Sequence, residues 1–354
     1  MNHKLEDLVD VPRLTEWLDG NLPALGDAPL RVELVHGGFS NVIISLNRGG
    51  ETLMLRRPPA VAPPGAERTV LREARVLAAL DGTNVPRPKC HASCDDASVI
   101  GAPFYVMERV PGWSGKVVNE VVECEPPFDT MPCEYGLPFA VADGLIALAN
   151  VDYQAIGLAD FGKPDNFLER QVDRWARQLA SYKERYNYPG RDLPGYDLTE
   201  RWLRGNVPKS FKPGILHGDI GLTNMLFAPG PPARLNALID WELSTIGDPM
   251  IDMGWFCGGM RDERRPGATP RSVHKTANWP TRQELARYYA AGTGRSVAEF
   301  DYYLVLASFK AGCIMEYKVA QAANGALSKE VGEFFARIVS DCFDSAAELI
   351  RLVD

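Results

Sequence analysis

In the stretch ILHGDIGLTNMLF, residues 215–227, Asp219 and Asn224 stand five positions apart between two apolar runs. Asp240 ends a further apolar run, LNALID, sixteen positions past Asn224. Asp and Asn are poor strand formers, so three such residues at the ends of strand-like segments call for a chemical reason. Two strands joined by the turn APGPPAR bring the three side chains to one end of a hairpin. Asn224 and Asp240 then offer oxygen ligands to a hard cation such as Mg²⁺, which takes a few carboxylate or carbonyl oxygens together with phosphate. Asp219, slightly removed, is placed to orient or deprotonate an attacking hydroxyl. One base-like Asp, one Asn and one metal-binding Asp in this order are the parts list of phosphoryl transfer.

The N-terminal half supplies candidates for the remaining parts. LMLR (53–56) reads as a strand that carries a cation, Arg56. Glu73 follows seventeen residues on, in a helical segment from which it can pair with Arg56 and aim it at phosphate. HGGFSN (36–41) is a turn whose glycines allow close backbone approach to a triphosphate, with Ser40 and Asn41 as polar groups. Each piece taken alone has a plainer reading: an ordinary hairpin turn, a solvated helix residue, surface charge beside Arg57. His217 reads as a buried hydrogen-bonding residue rather than a general base.

These residues need elements to hold them. Residues 30–57 alternate apolar and polar positions around the turns HGGFSN and NRGG, as paired strands do. AERTVLREARVLAAL (66–80) places Val70, Ala74, Leu77 and Ala78 on one helical face. Two more strand-like segments follow in ASVIGAPFYVMERVPG. Residues 113–137, weakly periodic and rich in Pro and Cys, read as a loop-like insertion. Helices are expected over 138–151, 166–187, 197–206, 281–292, 296–323 and 328–352, with capping-box spacing at Thr281/Glu284 and Ser296/Glu299. The expectation is an α+β chain: an N-lobe over 1–110 with a mostly antiparallel sheet and one helix, a connector near 107–113, and a helical C-lobe over 111–354.

The bulk numbers exclude little but agree. With 354 residues the chain is long enough for two lobes, each with its own core. A net charge of −8 argues against a nucleic-acid partner, which wants a basic face. No basic-then-apolar leader pattern opens the sequence, no run is long enough to span a membrane, and seven scattered cysteines fit free thiols, so a cytoplasmic location is expected. Cys90, His91 and Cys94 lack a second ligand pair at zinc-site spacing.

ILHGDIGLTNMLF, ALIDWELSTIGDPMIDMGWF and MLRRPP…REARVLAAL together resemble the aminoglycoside phosphotransferase family of small-molecule kinases over roughly residues 30–260. LRRPP, GKPDNFLERQVDRWARQ and DWELSTIGDP are most similar to the branch of kinase domains fused to acyl-CoA dehydrogenases. The resemblance implies a bilobal protein-kinase-like fold and transfer of the γ-phosphoryl group of Mg²⁺-bound ATP to a hydroxyl. It implies Asp219 as catalytic base, Asn224 and Asp240 as Mg²⁺ ligands, and Arg56 as a phosphate-contacting cation held by Glu73. Arg at this position departs from the lysine of the wider family, and the two are not interchangeable at phosphate. YVMERVPG matches the adenine-binding connector, which implies base contacts from the Glu108 carbonyl and the Val110 amide, with Met107 behind. Asp252 matches the helix aspartate that braces the catalytic loop, whereas Asp248, followed by Pro249, reads as a helix start.

For the acceptor the branch implies hydroxyacyl-CoA. Aminoglycosides and amino-alcohols or sugars compete, although the final helix shows no dense acidic cluster for a cationic sugar. The acceptor pocket is expected from 113–137 and the C-terminal helices, with Trp113, Tyr135 and Trp255 as candidate lining. A non-catalytic nucleotide-binding regulator is the alternative, favoured by Arg56 and the thin glycine loop and opposed by the intact Asp219, Asn224 and Asp240. Protein-kinase activity fits less well, since no APE segment and no long activation loop follow IDWE. Oligomeric state has no readable signal.

Overall fold

The structure, a computed structural model, describes residues 4–37, 41–62, 64–118, 121–265 and 277–353. A short helix, α1 (Val11–Asn21), comes first. Asp10 caps it by accepting from the Arg13 N–H at 3.1 Å, Pro12 occupies the first turn, and Leu14 and Leu18 lie one turn apart on its buried face. The sequence reading had only one helix in this region. Five strands then form one antiparallel sheet: β1 (Arg31–Gly37), β2 (Val42–Arg48), β3 (Glu51–Arg57), β4 (Cys90–Cys94) and β5 (Phe104–Glu108), in the order β1-β2-β3-β5-β4. Helix α2 (Ala66–Ala79) lies between β3 and β4 in the chain.

The period of two along β3 separates two functions. Leu53 and Leu55 pack into a core with Ile44, Leu46, Val106 and the α1 leucines. Arg56 points the other way, in register with Tyr105 of β5. That second face meets α2, whose Val70, Ala74 and Leu77 belong to the larger core of the helical part. Helix α2 therefore joins the sheet to the rest of the molecule.

Residues 113–137 are more ordered than a loop. They contain a small hairpin, β6 (Lys116–Val118) with β7 (Val121–Glu123), and the start of α3 (Cys133–Ala149). This helix begins five residues before the expected position and holds Pro138 as its sixth residue, which leaves the Glu134 carbonyl without its i+4 helical N–H donor. Helices α4 (Glu169–Arg185) and α5 (Tyr196–Gly205) follow. Two short antiparallel pairs then form, β8 (Gly214–Leu216) with β11 (Thr245–Gly247), and β9 (Met225–Phe227) with β10 (Leu235–Leu238). Helices α6 (Met250–Cys257), α7 (Arg282–Thr293), α8 (Phe300–Ala323) and α9 (Lys329–Val353) complete the chain. The β-rich N-terminal part and the helical remainder make a bilobal, protein-kinase-like α+β fold.

The two capping boxes behave differently. Thr281 accepts from the Glu284 N–H at 3.2 Å and starts α7. Ser296 instead accepts from the Ala298 N–H at 3.2 Å in a local turn, and α8 begins four residues later at Phe300. No helix among the described residues is long and apolar enough to cross a membrane.

Candidate active site

The β9–β10 hairpin puts Asn224 just before Met225, which pairs with Leu238, and the Ile239 N–H donates to the Asn224 carbonyl at 2.9 Å. Asp240 follows at once. Its backbone is left-handed, with φ of 67°, a conformation that a non-glycine residue holds at some cost and that Asp tolerates better than most. Asn224 Nδ2 donates to Asp219 Oδ2 at 2.8 Å and to the Asp219 carbonyl at 3.1 Å. With its amide nitrogen so engaged, Asn224 keeps Oδ1 as its acceptor oxygen.

Arg56 enters from β3. Its guanidinium pairs with Glu73, Nε to Oε2 at 2.8 Å and Nη2 to Oε1 at 3.1 Å, and Nη2 also donates to Asp240 Oδ1 at 2.5 Å. Tyr105 donates its hydroxyl to Glu73 Oε2 at 2.9 Å. Arg56 and Glu73 are buried, whereas the Asp240 side chain stays about one third exposed at 34%. Burial pushes the Glu73 carboxyl up to about 7, Arg56 works against that shift, and Asp240 adds to it. Burial disfavours the charge on Arg56, yet the carboxylates of Glu73 and Asp240 outweigh it and hold the cation firmly protonated.

Glu242, two residues past Asp240, was not singled out from the sequence. Its Oε2 accepts from Asn41 Nδ2 at 3.1 Å and lies 4.0 Å from Arg56 Nη2. Oxygens of Glu73, Asp240 and Glu242 fall within 4.8 Å of one another, an all-oxygen set of the kind hard divalent cations select. Ser40 lies outside the described residues; its neighbour Asn41 is buried.

The backbone of residues 217–219 is braced from several sides. Asp252 Oδ2 accepts from the His217 N–H at 2.6 Å and Oδ1 from the Gly218 N–H at 2.9 Å. Burial lifts the Asp252 carboxyl to about 6, opposed by those two N–H groups. His217 Nε2 bonds to the Ile239 carbonyl at 3.0 Å, and Nδ1 accepts from the Asp219 N–H at 3.4 Å. Complete burial lowers the His217 imidazole to about 4, so the ring is neutral at pH 7 and ties the loop to the end of β10. Gly218 sits at φ of 87°, and a Cβ there would come within 2.6 Å of the Leu243 carbonyl oxygen.

Lys310 of α8 was also missed. Its ammonium donates to the Gly218 carbonyl at 3.0 Å and lies 4.0 Å from the centre of the Trp255 ring. Burial lowers it to about 8, against the pull of Asp219 and Asp252. Burial also raises the Asp219 carboxyl above its usual range, with Lys310 opposing, which strengthens Asp219 as a proton acceptor. A single lysine inside the apolar run YYLVLASFKAGCIM was the available signal.

The other expected residues are placed as follows. Met107 and Glu108 end β5, where Met107 pairs with Met54 and the Glu108 N–H donates to the Lys89 carbonyl at 2.9 Å; Val110 follows in the connector. Asp248 accepts from the Met250 N–H at 3.0 Å, the role of a helix start. Trp113 is core, packed on Phe128 and Phe227, and Tyr135 donates to Glu284, while Trp255 lines a cavity that reaches Gly218.

Comparison with known proteins agrees with this fold. The profile of the phosphotransferase enzyme family matches residues 31–290. The chain is 29% identical over 351 residues to human acyl-CoA dehydrogenase family member 11, covering 97% of this chain and 43% of that protein. It is 26% identical over 348 residues to mouse acyl-CoA dehydrogenase family member 10, covering 95% and 30% respectively. The chain thus spans less than half the length of either relative. A solved structure from Ralstonia eutropha, named after the aminoglycoside phosphotransferases, superposes with a TM-score of 0.77 at 30% identity, covering 96% of this chain and 98% of that one. The chain belongs to the phosphotransferase enzyme family, and that membership supports a small-molecule kinase.

Proposed function

We propose that the protein transfers the γ-phosphoryl group of ATP, held with Mg²⁺, to a hydroxyl of a small molecule. The reading is carried by the convergence of Asp219, Asn224 and Asp240 at one end of the hairpin, with Arg56 reaching Asp240 from the sheet. Asp240 and the free Oδ1 of Asn224 are the metal ligands in this reading, with Glu242 beside them. The cation supplies charge neutralisation on the phosphate oxygens. Arg56, kept in place by Glu73, adds a second positive charge to the same phosphates. Asp219 accepts the proton as the acceptor hydroxyl loses it and its oxygen bonds to phosphorus in line with the leaving ADP oxygen. Met107, Glu108 and Val110 would contact the adenine, and Ser40 with Asn41 the phosphates. Rate enhancement on this account comes mainly from positioning and charge, because the protein forms no covalent bond.

Calorimetric titration of AMP-PNP with and without Mg²⁺ tests the site. Affinity is expected to be at least about tenfold higher with Mg²⁺, the effect of a charge-assisted contact. Equal affinity in both conditions would remove the cation from the reading.

A further inference from the structure

Lys310 stands in the middle of α8, and only 6% of it is exposed. Burying an ammonium is costly unless hydrogen bonds and opposite charges make up for the lost water. Here the compensation comes from three elements packed around it. The Gly218 carbonyl accepts from Nζ at 3.0 Å. Helix α6 brings the Trp255 ring to 4.0 Å and contributes the Asp252 carboxylate, and α4 brings the Trp175 ring to 5.4 Å. Asp219 and Asp252 attract the ammonium, while Arg174 of α4 repels it. Lys310 forms no ion pair with another described residue; its hydrogen bond goes to a backbone carbonyl instead.

That carbonyl belongs to the peptide joining Gly218 to Asp219. Gly218 has φ of 87°, a backbone that glycine enters freely, so a residue without a side chain stands directly before Asp219. Rotation of this peptide would swing the Asp219 carboxylate. Asp252 pins the His217 and Gly218 N–H groups at 2.6 and 2.9 Å, and those two bonds stop one peptide short of the Gly218–Asp219 link. On the link itself, the Asp219 N–H donates to His217 Nδ1 over a long 3.4 Å. Asn224 holds Asp219 from the far side, through the side chain and the following carbonyl. Lys310 therefore supplies the charge-assisted bond to the peptide that carries Asp219. Its surroundings leave it no place at the reacting atoms. It ends a narrow, mainly apolar cavity of about 30 Å³, room for water but not for a phosphate group. Phe167, Gln171 and Arg174 of that wall are shared with a wider groove lined by Arg170, Arg174 and Arg177 of α4.

We infer that Lys310 is the positioning residue for Asp219: its ammonium fixes the Gly218–Asp219 peptide and so aims the Asp219 carboxylate at the acceptor hydroxyl. The role of Asp219 as base rests on the phosphotransfer reading, whereas the hold of Lys310 on the peptide stands on its own geometry. A displacement of about 1 Å at a reacting group can lower a rate by about a hundredfold. The two tryptophans keep the ammonium from turning away from Gly218, so the side chain acts as a fixed strut between α8 and the segment that carries Asp219.

The test compares Lys310→Met, of similar length but uncharged, with the wild type in two measurements on the full chain. The first places ¹³C at the carbonyl carbon of glycine and ¹⁵N at the amide of aspartate, so that coupled signals come only from the three Gly–Asp peptides, 26–27, 218–219 and 247–248. The 218–219 signal is expected to shift and its amide proton to exchange at least about tenfold faster, with the other two as controls that stay in place. The second follows release of labelled phosphate from γ-labelled ATP with Mg²⁺, water standing in as acceptor. Lys310→Met should lower kcat at least about tenfold and keep KM for ATP within about threefold. Lys310→Arg, which keeps the charge and a donor, should stay closer to the wild type than Lys310→Met in both measurements. An unmoved 218–219 signal, or a moved one with unchanged kcat, would overturn the proposal. So would a Lys310→Arg variant no better than Lys310→Met, or a loss spread over kcat, KM and all three signals, which is what a merely structural role produces. Wild-type protein that releases no phosphate would count against the kinase reading alone, and the 218–219 signal would still decide whether Lys310 holds the peptide.

Discussion

Asp219→Asn is expected to lower turnover by about two to four orders of magnitude, the range that a positioned general base contributes, while leaving AMP-PNP·Mg²⁺ affinity within about threefold. The substitution keeps the side-chain shape and an oxygen for the Asn224 amide that now donates to Asp219 Oδ2. It removes the group that takes the proton. Asp219 is half-buried, and its carboxyl is raised by burial, so the native side chain holds a proton better than an exposed Asp does. The Arg56–Glu73–Asp240 cluster is untouched by the change. Single-turnover rates and nucleotide titration separate the two effects. Near-normal turnover would remove Asp219 as the base. A parallel loss of nucleotide affinity would mean that Asp219 acts through the metal site instead.

Asp240→Ala should act on the other half of the machinery. It should weaken AMP-PNP binding in Mg²⁺ by about ten- to a hundredfold, the loss expected for one charge-assisted contact, and should leave metal-free binding nearly unchanged. The fold should tolerate it. Arg56 retains Glu73 at 2.8 Å, and the like charges crowded around that pair fall by one. The left-handed backbone at position 240 costs Ala more than Asp, so a melting curve accompanies the titration. Unchanged Mg²⁺-dependent affinity would take Asp240 out of the metal site.

The parts legible in sequence share one property: they break a local rule. Asp219, Asn224 and Asp240 put poor strand formers at strand ends, and the structure brings them to one end of the β9–β10 hairpin. Arg56 interrupts an alternating strand, and Glu73 lies beside the apolar face of its helix. Asp252 could be picked out only through the resemblance, and its two short bonds to the loop N–H groups are a tertiary fact. Features that keep local rules were illegible. Arg170, Arg174 and Arg177 have the spacing of any solvated helical face, and only the fold shows that this face lines a groove without ion-pair partners among the described residues. Lys310 is hidden in a helix whose character is otherwise apolar, and Glu242 looks like a surface residue until Asn41 and Arg56 are placed beside it.

Element boundaries failed for similar reasons. Ser296/Glu299 has capping-box spacing, but Ser296 spends its hydroxyl on a local turn and the helix starts at Phe300. The helix expected over 138–151 begins at Cys133 and runs through Pro138, which costs it one backbone hydrogen bond. The hairpin β6–β7 has three-residue strands, too short for alternation to show. Strand assignment succeeded in β2 and β3, where buried apolar residues recur at every second position, Val42, Ile44 and Leu46 in one and Leu53 and Leu55 in the other.

The most direct test of the central claim is transfer of label from γ-labelled ATP to a hydroxylated small molecule. A panel of hydroxyacyl-CoAs, aminoglycosides and amino-alcohols, with and without Mg²⁺ and with Asp219→Asn as blank, covers both signs of acceptor charge. The account predicts Mg²⁺-dependent label on the hydroxyl of at least one of these acceptors and none in the blank. Protein that binds AMP-PNP and Mg²⁺ but labels none of these acceptors, or that labels one equally well in the blank, would contradict it.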